Sequence, residues 1–264
     1  MERRLRILGV VIAVIGVVAI AGGAYGYTRV QGGANALQGF SEAQGVQLTY
    51  NADGQLIDRG TPEGAEAIMG LLQDDWRWPV NAGELDPNDP LVNTGTEYMY
   101  QMATIAYHTL HGTQEVTLAA RVEYDGNGDG AVAVDAPVYS PATLPEGVWD
   151  PAVAGADGDA IFEAGTYVVP VNGRYWSGFN RTHPLDGQVR EKAWTGTVHG
   201  LFAQLGVGAT TASSLEMALA VSAMLAGFGF IFLILGTGLL WVAAPVSVRV
   251  PGRAPAPEAT PAGG

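Results

Sequence analysis

The chain has no cysteine, so disulfides, thiolate metal sites and cysteine nucleophiles are excluded. Lysine occurs once, at Lys192, against twelve arginines. Basic residues are scarce between positions 28 and 215, where 23 acidic residues face 8 basic ones, a net charge of −15. A surface this acidic excludes nucleic acid as a partner, because phosphate contacts need Lys and Arg to displace counterions. It also argues against lying flat on anionic lipid. Neither the nucleophile-elbow pattern G-x-S-x-G nor the phosphate loop G-x-x-x-x-G-K-[ST] occurs.

Charge is missing altogether from two long stretches. Ile7–Tyr27 reads ILGVVIAVIGVVAIAGGAYGY, and at 1.5 Å per residue it spans about 31 Å, the depth of a hydrocarbon core. Met217–Ala244 is also uncharged and reaches about 42 Å as a helix, so its helix is expected to begin before the bilayer. Arg3, Arg4, Arg6, Arg249 and Arg253 flank the outer ends of these runs, and only Arg29 lies close on the other side. The positive-inside rule then places both termini in the cytoplasm of a two-pass cell-membrane protein. The alternative is a cleaved signal peptide ending at Ala19-Ile20-Ala21. This reading gives a cytoplasmic N-terminus (1–6), a first span (7–27), an extracytoplasmic domain (28–215), a second span (216–244) and a cytoplasmic tail (245–264). The tail carries five prolines and is read as disordered. Gly22-x-x-x-Gly26 and Ala223-x-x-x-Gly227 are small-residue pairs at helical spacing, expected to pack the spans together, within or between chains. The partners implied are the bilayer itself and either another membrane protein or a second copy of this chain.

The middle region reads as α+β: helices first, then a small antiparallel sheet, then a helix. Residues 28–60 are rich in Gly and Gln with weak periodicity. Thr61-Pro62-Glu63 is a good helix start, and the helix is expected to reach about Trp76. Leu85-Asp86-Pro87-Asn88-Asp89-Pro90 is a rigid loop, because residues before proline avoid the helical region. A second helix is expected from about Thr94 to His111. From Glu115 the apolar period becomes two, with Val116, Leu118, Ala120, Val122 and Tyr124 alternating with polar neighbours, and it resumes at Ala131–Val134 after a Gly/Asp turn. A further hairpin is expected at 167–176 about Asn172-Gly173, with Pro170 on an edge. Residues 188–206 read as a helix leading to the second span.

Ala65-Glu66-Ala67-Ile68, Glu84-Leu85-Asp86-Pro87-Asn88-Asp89-Pro90, Ser213-Ser214-Leu215 and the glycine-spaced second span carry a resemblance. In these the chain resembles small actinobacterial two-span membrane proteins often labelled aromatic ring-opening dioxygenases. The likeness covers roughly residues 5–95 and 210–243, and the stretch between them has no counterpart in the pattern. It implies two spans enclosing an outer segment, and no activity is carried over from the label.

Four groups of residues bear chemistry. Asp125-x-Asn127-x-Asp129-Gly130 has the spacing of the first half of a calcium loop, but position 12 is Ala136 instead of glutamate. Asp125, Asn127 and Asp129 are therefore candidate calcium ligands, with a plain hairpin turn as the alternative. His108, His111 and Glu115 could share a helix face and hold iron or zinc, unless Gly112 ends the helix. His183 and His199 stand alone in polar text, and Asn180-Arg181-Thr182 fits a glycosylation sequon. Tyr167, Tyr175, Trp176 and Phe179 form an aromatic cluster that could hold a partner or glycan, or be sheet core. The leading expectation is a non-enzymatic envelope or accessory protein with no cofactor. A calcium-dependent binding module is the alternative, and a metal-dependent oxygenase a third.

Overall fold

The computed structural model describes residues 2–154 and 158–244. The expected disordered tail, with Arg249 and Arg253, lies outside the described residues. The architecture is α+β, and the chain divides into two compact units. One takes the first helix up to Gln31 and the last from Ala218 onward, and the other is Gly32–Met217.

Two helices are long and apolar enough to cross a membrane: α1 (Glu2–Gln44) and α6 (Gly196–Val242). At 1.5 Å per residue they measure roughly 65 and 70 Å, twice a hydrocarbon core of about 30 Å. α6 is helical throughout Leu215–Leu225, as the length of the uncharged run requires. α1 differs from the expectation by continuing as helix past Tyr27 through the Gly- and Gln-rich text to Gln44. That text has little helical periodicity, but tertiary partners hold it. Asn93 Nδ2 donates to Gln38 Oε1 at 3.0 Å, and Ser41 Oγ lies 2.7 Å from Tyr98 OH.

The first unit is an antiparallel helix pair closed by a glycine seam of period seven. Gly9, Gly16 and Gly23 on α1 meet Gly236, Gly229 and Ser222 on α6. A Cβ added at Gly16 would lie 2.6 Å from Leu233 N and 2.7 Å from Gly229 O, and one at Gly236 only 2.4 Å from Ala13 N. This corrects the expected four-residue pairs. Gly227 has nothing within 4 Å and Gly22 only Leu225 at 3.4 Å, although Gly26 does face Ser222. A seven-residue repeat keeps one stripe facing a partner along a helix, whereas one pair four apart fixes a single crossing point. Arg6 Nε donates to Ala243 O at 2.9 Å and ties the ends of the pair.

The second unit begins with α2 (Pro62–Gly70), capped by Thr61, whose Oγ1 accepts from Gly64 N. It widens into a π turn at Leu71–Asp75. α3 (Gly95–Leu110) carries a full capping box: Thr94 Oγ1 accepts from Glu97 N, and the Glu97 carboxylate accepts from Thr94 N and Asn93 N. Burial pushes the Glu97 carboxyl above its usual range, against the pull of those N–H donors.

The strands are β1 (Thr113–Leu118), β2 (Val122–Tyr124), β3 (Val138–Tyr139), β4 (Ala160–Phe162) and β5 (Gly165–Pro170). β1 pairs antiparallel with β5, with Thr113 opposite Pro170. β4 pairs antiparallel with β2 and parallel with β3. The expected single antiparallel sheet is therefore two small sheets, one of them mixed. The alternating run 116–124 breaks at exposed Ala119–Arg121, where the chain leaves one sheet for the other. Ala131–Val134 is not a strand, and Val134 is fully exposed. Asn172 and Gly173 do take positive φ, 53° and 72°, but the chain after them leaves the sheet for a short 3-10 turn at Trp176–Gly178. Gly173 N donates to Leu110 O, so this turn docks on the end of α3 rather than closing a hairpin.

α4 (Pro151–Ala154) is a single turn. The expected helix over 188–206 is divided between α5 (Asp186–Ala193) and the start of α6. The core joins Ile68, Leu72, Ala103, Val116, Trp149, Phe162, Tyr167 and Val189, all fully buried. Gly208 of α6 lies against the Tyr98 ring, where a Cβ would meet it at 2.6 Å.

Candidate functional site

The structure places the aromatic cluster in three different settings. Tyr167 and Phe179 are buried. The Tyr167 hydroxyl sits 2.9 Å from Tyr139 O and 2.8 Å from Glu163 O, so both rings serve the core. Trp176 lies under the Arg190 guanidinium, 3.3 Å from its ring centroid. Tyr175 alone opens to a cavity.

That cavity, about 380 Å³, is built where the π turn meets the Asn172-Gly173 turn. Trp76 N donates to Leu71 O, five residues back, which closes α2 with a wide turn and brings Asp75 and Trp76 to the cavity. Trp76 Nε1 donates to Tyr175 OH at 2.7 Å and locks the two side chains together. Tyr175 stacks on Trp194 at 5.5 Å between centroids, and Phe202 meets Trp76 and Trp194 edge-on. Leu71 and Leu110 form the buried floor, and His111 the far rim. His111 Nδ1 lies 2.8 Å from Tyr107 O, so Nδ1 carries a proton and donates to that carbonyl. Asp75 makes no hydrogen bond or ion pair among the described residues. Sequence reasoning found Tyr175 but missed Asp75 and Trp76, because nothing in an apolar period signals a π turn.

A second cavity of about 290 Å³ lies over Arg174 and Asp186. Its polar groups already satisfy each other. Asp186, only 1% exposed, accepts from Arg174 Nη1 at 2.6 Å and from Asn180 N at 2.7 Å. Arg174 Nε and Nη2 donate to Val171 O and Pro170 O. We read this as a clasp holding α5 to the end of β5. Asn180 of the sequon is part of it, donating to Tyr124 OH.

The histidine triad does not assemble. His108 Nε2 pairs with Asp58 at 3.0 Å, His111 turns to Tyr107 O, and Glu115 is exposed on β1. Among the described residues no group of three His, Cys, Asp or Glu side chains is placed to hold a metal. His183 is buried among aromatic rings, stacked on Trp149 at 4.6 Å, and its Nδ1 accepts from Leu185 N and Asp186 N. His199 packs against Trp176.

In the Asp125–Gly130 loop, Asp125 gathers the backbone. Oδ1 accepts from Gly128 N and Asp129 N, and Oδ2 from Gly130 N. Asp129 Oδ1 accepts from Ala131 N, and Asp159 accepts from Gly126 N, Asn127 N and Ala133 N. A calcium ion would share the Asp125 oxygens with three N–H donors. Those donors, Gly130 first, hold the Asp125 carboxyl below its usual range. Because the folded value is depressed, the loop's bonds are fully present above the unfolded value of about 3.9 and are lost as pH falls through the folded one. The amide resonances of Gly128 and Gly130 are therefore expected to stay fixed down to about pH 3.9 and move only below it. Movement at higher pH would count against this arrangement. Asp125→Ala should free the same amides with or without calcium, whereas a calcium-specific rise in melting temperature lost in that variant would establish the ion site.

No family model, curated protein or solved structure matches this chain, so the resemblance described above stands on its residues alone.

Proposed function

We propose that the chain is a two-span membrane protein with both termini in the cytoplasm, whose residues 28–215 act outside as a non-enzymatic binding domain. It serves envelope structure or an accessory role beside another membrane protein. The observation that supports binding is the open cleft at Trp76 and Tyr175, whose carboxylate, Asp75, is left uncommitted by the fold. Pockets with a few convergent polar groups on apolar walls are the usual form of ligand sites. Support for the membrane arrangement comes from α1 and α6, with the arginines at the outer ends of the uncharged runs.

Two experiments test this reading. Protease added to intact spheroplasts is expected to cut within residues 60–200 and spare the N-terminal segment, and protection of 60–200 is the contrary result. A panel of neutral sugars, amines and carboxylates is expected to contain one class that raises the melting temperature of the full-length protein. That rise should be absent in Trp76→Ala. Failure of every class overturns the binding role.

A further inference from the structure

The chemistry of the cleft selects among ligand classes. Asp75 is its one carboxylate, and no Arg or Lys lines it. The other polar side chains lining it are the His111 ring, whose Nδ1 is turned to Tyr107 O, and the Tyr175 hydroxyl, which already accepts from Trp76 Nε1. A carboxylate or phosphate ligand would meet no Arg or Lys here, and it would cross a domain of net charge −15 to arrive. Two aromatic rings beside one carboxylate suit an organic cation, because ring quadrupoles and the carboxylate both attract an ammonium group. The acidic domain raises the local concentration of such a ligand. The rings are held in advance: Trp76 by Tyr175 OH and Phe202, Tyr175 by Trp194. Binding therefore loses little rotamer freedom.

Resting on the binding reading above, we infer that this cleft takes a substituted ammonium group, with Asp75 as counter-ion and Trp76 and Tyr175 as its aromatic walls. Either a small quaternary amine or the amine of a larger envelope component supplies the same group.

The probe is choline chloride, exchanged for sodium chloride at constant ionic strength against the full-length protein in nanodiscs, and read by calorimetry and tryptophan fluorescence. Saturable binding is expected, with a dissociation constant on the order of 1 mM. Asp75→Asn, an exposed site whose change leaves the fold intact, should weaken it at least about fivefold. Trp76→Phe, which keeps a ring but loses the Tyr175 bond, should weaken it less than Trp76→Ala. Choline affinity unchanged in Asp75→Asn overturns the inference. Binding of N-acetylglucosamine in place of choline, sensitive to Trp76→Ala, also overturns it while leaving the binding role standing. No binding of choline, sugar or acetate removes both.

Discussion

Gly16→Leu is expected to separate α1 from α6, at a cost of about 3 kcal/mol or more. Even a single carbon at this position would sit 2.6 Å from Leu233 N and 2.7 Å from Gly229 O. Both neighbours are backbone, so no side-chain rotation relieves the clash and the helices must move apart. In a bilayer, lipid tails are as apolar as the side chains, so helix pairs are held by close packing rather than by exclusion from water. Moving the axes apart loses dispersion contacts along the whole seam, from Gly9 to Gly23. The gain in helix propensity on replacing glycine, at most about 1 kcal/mol, does not offset this. Gly227→Leu is the matched control, since no atom lies within 4 Å of its Cβ position. The measurement is the SDS mole fraction at which each variant loses its compact, protease-resistant form in mixed micelles. Equal losses in Gly16→Leu and Gly227→Leu would show that the seam is not the packing surface.

The same glycines show how much was legible in the sequence. Gly9, Gly16 and Gly23 lie seven apart, as do Ser222, Gly229 and Gly236, and the pattern is visible in the sequence alone. The four-residue pairs carry less information, because glycine is frequent and frequent residues produce short spacings by chance. Helix starts were well marked. The Thr61-Pro62 cap is local chemistry and forms as written, and the second helix starts beside Thr94 as expected. Strand partners were not marked. Period-two alternation records which residues face inward and is the same in β1 and β2, although each belongs to a different sheet. Ala160–Phe162 is too short to carry a pattern, yet it is the centre strand of its sheet. The cleft was half visible. Tyr175 stood beside a turn whose positive φ values were expected from Asn-Gly, but that turn docks on α3 instead of reversing a hairpin. Its partners Asp75 and Trp76 come from a π turn, which depends on tertiary packing.

Asp186→Ala is expected to lower the stability of the second unit by about 3–5 kcal/mol, the usual loss when one partner of a buried pair is removed. Asp186 is 1% exposed, and its two oxygens receive Arg174 Nη1 at 2.6 Å and Asn180 N at 2.7 Å. The Arg174 side chain is 19% exposed and lies over the Phe179 ring at 4.2 Å. Without the carboxylate it keeps its charge in a place that water reaches poorly, and the Asn180 amide loses its acceptor. A domain of this size has about 5–15 kcal/mol in total, so the loss is a large fraction of it. In melting temperature it corresponds to about 10 °C or more. The exposed pair Arg121–Glu123, at 52% and 61%, is the internal comparison, and Glu123→Ala should change stability by less than about 0.5 kcal/mol. Adding Arg174→Leu to Asp186→Ala removes the stranded charge, so the double variant should melt above the Asp186→Ala single variant. Thermal melting by circular dichroism distinguishes the cases. A double variant that melts at or below Asp186→Ala would mean that Arg174 contributes through Val171 O, Pro170 O and Phe179 rather than through the ion pair.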